Sequence, residues 1–209
     1  MGLSAEQIRE SMDALAAVEP AIAAALDRIG YPAPRIRARG YATLVRTILG
    51  QQVSVASADA HWRRLNELLG DASDPTRLHG FTDEELRGAG ISRQKAGYLR
   101  SLAEEVTSGR LNLSALPEDD EDAIAKLVAV KGIGRWSAEV YLLFAEGRTD
   151  IWPAGDLAVQ IEMGRILGHD ARPSEKRVRE LAEAFRPHRS ALAIFTWHHY
   201  GAEADAAPV

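Results

Sequence analysis

The stretch that most constrains the fold is Leu127-Val128-Ala129-Val130-Lys131-Gly132-Ile133-Gly134, followed directly by Arg135 and Trp136. Leu127 and Val130 stand at helical spacing and anchor the end of one helix in a core. Gly132 and Gly134 permit a tight turn and leave no Cβ between the backbone and whatever approaches it. Ile133, between them, plugs the turn into the core. A second helix starting at Arg135 points its first N–H groups outward, where partial positive charge favours phosphate oxygens. Such a hairpin is a backbone clamp that positions a protein on a nucleic acid without reading its bases.

Net charge works against that reading. The chain carries −5, the wrong sign for a protein held on nucleic acid by charge alone. The densest acidic run, Glu118-Asp119-Asp120-Glu121-Asp122, lies just upstream of the hairpin. Basic residues gather elsewhere: Arg35, Arg37 and Arg39, then Arg46, then Arg93, Lys95 and Arg100, then Lys131 and Arg135. A clamp of backbone amides needs fewer of them than a purely electrostatic binder, so composition weakens a nucleic-acid role without excluding it. Hydrophobic residues make up 46% of the chain, which excludes disorder and supplies a core. No apolar run is long enough for a membrane span, and residues 1–10 lack a basic-then-apolar leader pattern. With no cysteine there are no disulfides and no thiolate chemistry, so a reducing, cytoplasmic setting is expected.

Ala- and Leu-rich periodicity predicts helices over 5–18, 20–29, 41–49, 54–69, 82–88, 93–108, 121–130, 135–146, 155–167, 174–185 and 187–200. Thr82 with Glu85 forms a capping box, and Gly70, Gly147 and Gly168 suit C-terminal caps. No window alternates apolar and polar residues over strand length, so no sheet is expected. The tail from residue 203 onward is expected to fray.

The hairpin, with Asp156 following Trp136 by twenty positions, resembles the helix–hairpin–helix plus Gly/Pro-Asp signature of the DNA repair glycosylase superfamily. The match extends to Ile151-Trp152-Pro153-Ala154-Gly155-Asp156, the loop that in this family delivers a catalytic aspartate. Gly-Ile-Gly-Arg-Trp is the hairpin ending of the 3-methyladenine DNA glycosylase II branch; Lys131 departs from that branch, which usually has proline there. The resemblance implies an all-α, two-lobed bundle with a cleft between the lobes. The middle lobe would span about 45–150, and the other about 1–44 and 151–209. It also implies a start near the helical core, without the N-terminal sheet domain of longer relatives. The missing cysteines exclude the cysteine-ligated iron–sulfur cluster of some family members.

Site roles follow from that resemblance, each beside a plainer one. Asp156 would stabilise the positive charge that grows on the sugar as a base departs, and orient or deprotonate the attacking water. It also suits a helix N-cap, and the two roles are compatible. Trp136 stands where lyase-competent relatives place an attacking lysine, and tryptophan forms no Schiff base; its alternative is core. Trp197 follows an Arg189-Ser190 pair as the family's pocket tryptophan does, and an indole face attracts a cationic alkylated base; its alternative is also core. Trp152 and Tyr141 are weaker pocket candidates; the family's further pocket tyrosine falls on Val140, so Tyr141 either substitutes for it or is simply buried. Gly132, Gly134, Lys131, Arg135 and Ser137 would contact DNA at the hairpin. Gln51 and Gln52 lie where relatives insert a wedge into the space left by a flipped base, Gln52 replacing leucine; their alternative is helix entry. His188, His198 and His199 do not form a metal site together, since neighbours on a helix point about 100° apart. No cofactor is expected beyond a structural Na+ or K+ on the carbonyls of Val128, Val130 and Ile133.

The leading expectation is a monomeric glycosylase that releases alkylated purines (3-methyladenine, 7-methylguanine) from damaged double-stranded DNA without lyase activity. Alternatives are a glycosylase for another damaged base, a non-enzymatic helix–hairpin–helix DNA-binding module, and a helical adaptor that binds no DNA. The last leaves Gly132, Gly134 and Lys131 unexplained, and neither non-enzymatic reading needs Asp156 or the tryptophans.

Overall fold

The structure, a computed structural model, describes the backbone of residues 2–206 and the side chains of residues 2–203. All regular structure among these residues is helical: α1 (Ala5–Val18), α2 (Pro20–Ile29), α3 (Tyr41–Gly50), α4 (Val55–Leu69), α5 (Asp83–Gly88), α6 (Arg93–Thr107), α7 (Asp120–Val128), α8 (Arg135–Tyr141), α9 (Leu157–Ile166), α10 (Glu175–Ala182) and α11 (Arg189–Ala206). Short 3-10 turns at Arg77–Gly80 and Glu183–Phe185 and a π turn at Leu142–Glu146 complete the set. The 3-10 turn at Arg77–Gly80, four residues long, is too short to show a helical period.

Caps explain most boundaries. Ser4 accepts from the Gln7 amide and Gln7 returns the bond to Ser4, a reciprocal pair that opens α1. Thr82 and Glu85 do the same for α5, and Gly70 closes α4 at φ +76°. Five helices differ clearly from the periodicity: α10 ends at Ala182, where a 3-10 turn takes over, α11 runs from Arg189 through Ala206, and three others differ for local reasons. α7 stops at Val128, because Val130 N–H bonds back to the Leu127 carbonyl and Ile133 N–H to the Val130 carbonyl, which forms the hairpin. The expected 135–146 helix ends at Tyr141 and widens into the π turn. α9 begins only at Leu157, since Pro153 to Asp156 form a turn closed by the Asp156 amide on the Pro153 carbonyl, 2.9 Å. The chain end expected to fray is helical through Ala206; residues 207–209, like Met1, lie outside those described.

The chain forms two compact units, Arg37–Tyr141 and Met1–Ile36 with Leu142–Val209. The sequence reading placed the divides near 45 and 150. In the first unit α3 packs on α4, α6 and α8 around buried Leu44, Ile48, Leu65, Leu99, Leu102 and Leu127. In the second, α1 packs on α2 and α9 on α11 around Ile8, Met12, Ile22, Val159 and Met163. Burial of each such side chain is worth about 1.5–3 kcal/mol, the main force that fixes these helices in place.

Candidate active site

The loop that carries Asp156 is braced from several sides. Arg189 grips Asp150 with two parallel bonds, Nε to Oδ1 at 2.7 Å and Nη2 to Oδ2 at 2.8 Å. Ser190 N–H donates to the Thr149 carbonyl at 3.0 Å, and Ser190 Oγ accepts from Ile151 N–H at 2.9 Å. Trp152 is 3% exposed and sends its Nε1–H to the Val178 carbonyl at 3.3 Å. It is therefore a core anchor of this loop rather than the pocket ring suggested by the sequence. The Arg189-Ser190 pair thus has a structural reason: it pins the start of the loop that ends in Asp156. Gln160 closes the other side, Nε2 to the Ala154 carbonyl at 2.8 Å.

Asp156 caps α9, its Oδ1 accepting from Val159 N–H at 3.1 Å. The same oxygen accepts from Trp197 Nε1–H, also at 3.1 Å. Two sequence-predicted site residues, 41 positions apart, are thus joined by a hydrogen bond, which spacing alone does not reveal. Trp197 is half-buried and leans on Phe144, ring centroids 5.5 Å apart and tilted by 33°; the π turn at Leu142–Glu146 carries that phenylalanine.

In the other unit, the hairpin glycines do different work. Gly132 has φ +86°, and a Cβ there would lie 2.3 Å from the Tyr98 ring. Gly134 has open space where a Cβ would be. The first makes the turn, and the second leaves the backbone bare. Lys131 is exposed, with its N–H on Ser101 Oγ at 3.0 Å. Arg135 is not a ready phosphate ligand: its guanidinium bonds to Glu121 (Nη1–Oε2 2.8 Å) and to Glu139 (Nε–Oε1 2.9 Å). The Glu121 hydrogen bond is the main reason its pKa rises above the usual arginine range. Ser137, expected to contact DNA, has a buried side chain.

The two glutamines also part company. Gln51 Nε2 donates to the Gly132 carbonyl at 2.8 Å, so it braces the α3–α4 turn against the hairpin instead of reaching outward. Lys95 Nζ braces the same turn from α6 through the Leu49 carbonyl at 2.6 Å. Gln52 is exposed and has φ +56°, a conformation uncommon outside glycine. Beside this turn the His61 Nδ1 is buried without a hydrogen-bond partner. Burial first, then Lys95 and Arg64, push the His61 pKa down.

A cavity of about 610 Å³ opens within this unit, lined among others by Thr43, Arg46, Thr47, Trp136, Ser137 and Val140. Trp136 is 45% exposed and lines this cavity, so it is not packed in the core. Tyr141 is 2% exposed, and its hydroxyl accepts from Gly40 N–H at 2.9 Å. It belongs to the core, and Val140 holds the cavity wall instead.

Periodicity does not reveal the polar chain around a buried Glu162–His199 pair in the other unit. Glu162 is 0% and His199 1% exposed, with Nδ1 and Oε2 2.6 Å apart. Arg28 Nη2 lies 2.6 Å from His199 Nε2. A guanidinium only donates, so Nε2 accepts and the ring proton on Nδ1 faces Glu162. Arg165 completes the order at 2.7 Å from Glu162 Oε1. The chain ties α2, α9 and α11 together. His199→Leu leaves the buried carboxylate short of a donor and is expected to cost about 1.5–3 kcal/mol. A thermal melt would register this as a fall of several degrees; an unchanged melt would show the pair to be dispensable. No group of three or more metal-ligating side chains occurs among the described residues, and no helix there is long and apolar enough to cross a membrane.

The family model described as "HhH-GPD superfamily base excision DNA repair protein" matches residues 45–187. DNA-3-methyladenine glycosylase 1 of Schizosaccharomyces pombe is 30% identical over 161 residues, 75% of this chain and 71% of that protein. DNA-3-methyladenine glycosylase 2 of Escherichia coli is 30% identical over 197 residues, 88% of this chain and 67% of that one. Among solved structures, a DNA-3-methyladenine glycosidase from Bacillus halodurans superposes with a TM-score of 0.83 at 29% identity, covering 93% of this chain and 91% of its own. The chain belongs to the HhH-GPD superfamily of base excision DNA repair proteins.

Proposed function

We propose that the protein hydrolyses the N-glycosidic bond of alkylated purines, 3-methyladenine and 7-methylguanine, in duplex DNA and leaves an abasic site without cutting the strand. The observation that carries this reading is the braced loop that presents the Asp156 carboxylate at the head of α9. As the base leaves, the sugar ring becomes positive, and a fixed carboxylate lowers the energy of that state without having to reorganise. The same group aligns or deprotonates the attacking water. No lysine stands at position 136, so water is the nucleophile. The relatives named above are called 3-methyladenine glycosylases, and one solved neighbour, an S. pombe 3-methyladenine DNA glycosylase of 25% identity and TM-score 0.77, is described in complex with abasic DNA.

DNA is held at the hairpin, by the bare backbone at Gly134 and the exposed side chain of Lys131, while Gln52 enters the duplex where the flipped base was. A monovalent cation on the carbonyls of Val128, Val130 and Ile133 belongs to the same reading, as does action as a monomer; a cysteine-free chain suits a reducing, cytoplasmic setting.

Trp136 supplies the exposed indole face that favours a charged base by about 0.5–2 kcal/mol. Trp136→Ala should therefore slow release of cationic 7-methylguanine more than release of neutral hypoxanthine in matched duplexes. Equal losses would reduce Trp136 to a shape-filling role. Borohydride added during turnover tests the absence of an amine nucleophile. No covalent protein–DNA adduct is expected, and a trapped adduct would overturn the hydrolytic mechanism.

A further inference from the structure

We propose that Trp197 is a positioning residue, whose indole N–H fixes the Asp156 carboxylate, and that the reaction needs this donor rather than the ring's face. The proposal rests on Asp156 being the reacting carboxylate. The N-cap bond from Val159 N–H ties one oxygen of the carboxylate to its own helix. Trp197 Nε1–H, arriving from a different helix at 3.1 Å, donates to that same oxygen and so ties the carboxylate to α11 as well. Hydrogen bonds to an ionised acceptor are roughly twice as strong as neutral ones, so the constraint is a firm one.

The donor is itself held. Phe144 packs on the indole at 5.5 Å. The next two residues of α11 are tied down as well: His198 Nε2 lies 3.2 Å from the Ile29 carbonyl and His199 Nδ1 2.6 Å from Glu162. Glu162 sits on α9, the helix that Asp156 caps, so the polar chain and the indole fix the same two helices against each other. By contrast Trp136 is 45% exposed and suited to ligand contact.

The test replaces the N–H while keeping the ring. Trp197 is exchanged for β-(3-benzothienyl)alanine, which has sulfur in place of N–H and nearly the same shape and π face, and in parallel for Phe. Single-turnover release of 7-methylguanine and affinity for an abasic duplex are then measured. Both variants should lose roughly ten- to a hundred-fold in release rate while abasic-DNA affinity stays within about two-fold. The isostere guards against misfolding, since it removes no volume. If the benzothienyl variant turns over like the unaltered chain, the N–H is dispensable and the proposal fails. A loss matched by an equal loss of abasic-DNA affinity would equally refute it. Asp156→Asn, run beside these, keeps the two readings apart: normal turnover there would remove Asp156 itself from the mechanism.

Discussion

Asp156→Asn is expected to bind abasic duplex DNA as tightly as the unaltered chain and to release alkylated purines at least about 100-fold more slowly. The structure makes this substitution unusually clean. Asparagine ranks with aspartate at the N-cap, and its amide oxygen can still accept from Val159 N–H and Trp197 Nε1–H, so α9 and its loop keep their support. What disappears is the negative charge, and with it the part of the interaction that grows as the sugar becomes positive. On the proposed mechanism a helix cap and a catalytic carboxylate share one side chain, and this variant removes only the second role. Should release continue at near-normal rate, Asp156 would be a cap and nothing more.

The two hairpin glycines are expected to fail in different ways. Gly132→Ala imposes φ +86° on an L side chain and drives its Cβ into the Tyr98 ring, 2.3 Å away. A left-handed backbone costs about 1–2 kcal/mol and overpacking another 1–3 kcal/mol, so stability should fall by roughly 2–5 kcal/mol. For a chain of this size that corresponds to a drop of roughly 5–15 °C in melting temperature. Gly134→Ala meets open space and should leave the melt unchanged. Its added methyl group stands where DNA backbone would approach, so affinity should fall alike for intact, damaged and abasic duplexes. Thermal melts and duplex titrations on both variants check the pair. A Gly134→Ala variant that discriminated among lesions would move that residue from the clamp to the base pocket, and a stable Gly132→Ala variant would show that the turn tolerates rearrangement.

Much of the fold was legible in the sequence, because the helices carry their own punctuation. Thr82 with Glu85, and Gly70, mark ends through local chemistry, and the structure uses each of them there. The π turn after Tyr141 was not legible, since Leu142 to Ala145 are all buried and show no helical stripe that an extra residue per turn would disturb. At the site, a residue type announced its chemistry but not its partner. Arg135 reads as a DNA contact because a cation at the hairpin suits phosphates, and Gln51 because it lies in the segment from which relatives insert a wedge. Only the fold shows that Glu121 and Glu139 take up the guanidinium and the Gly132 carbonyl takes up the amide. Tyr141 and Trp152 looked like pocket rings because an aromatic side chain carries no mark of which way it faces; both are core. Long-range pairs such as Trp197 with Asp156, and His199 with Glu162, join residues 41 and 37 positions apart. No local period connects them.

The most direct measurement incubates the purified protein with methylated duplex DNA and separates the released bases by chromatography, with the strands run on a denaturing gel before and after alkali. Free 3-methyladenine and 7-methylguanine should appear in proportion to strands that stay intact until alkali cleaves them at abasic sites. Intact methylated DNA with no free base, or strands already cut before alkali, would contradict hydrolytic release of alkylated purines by this chain.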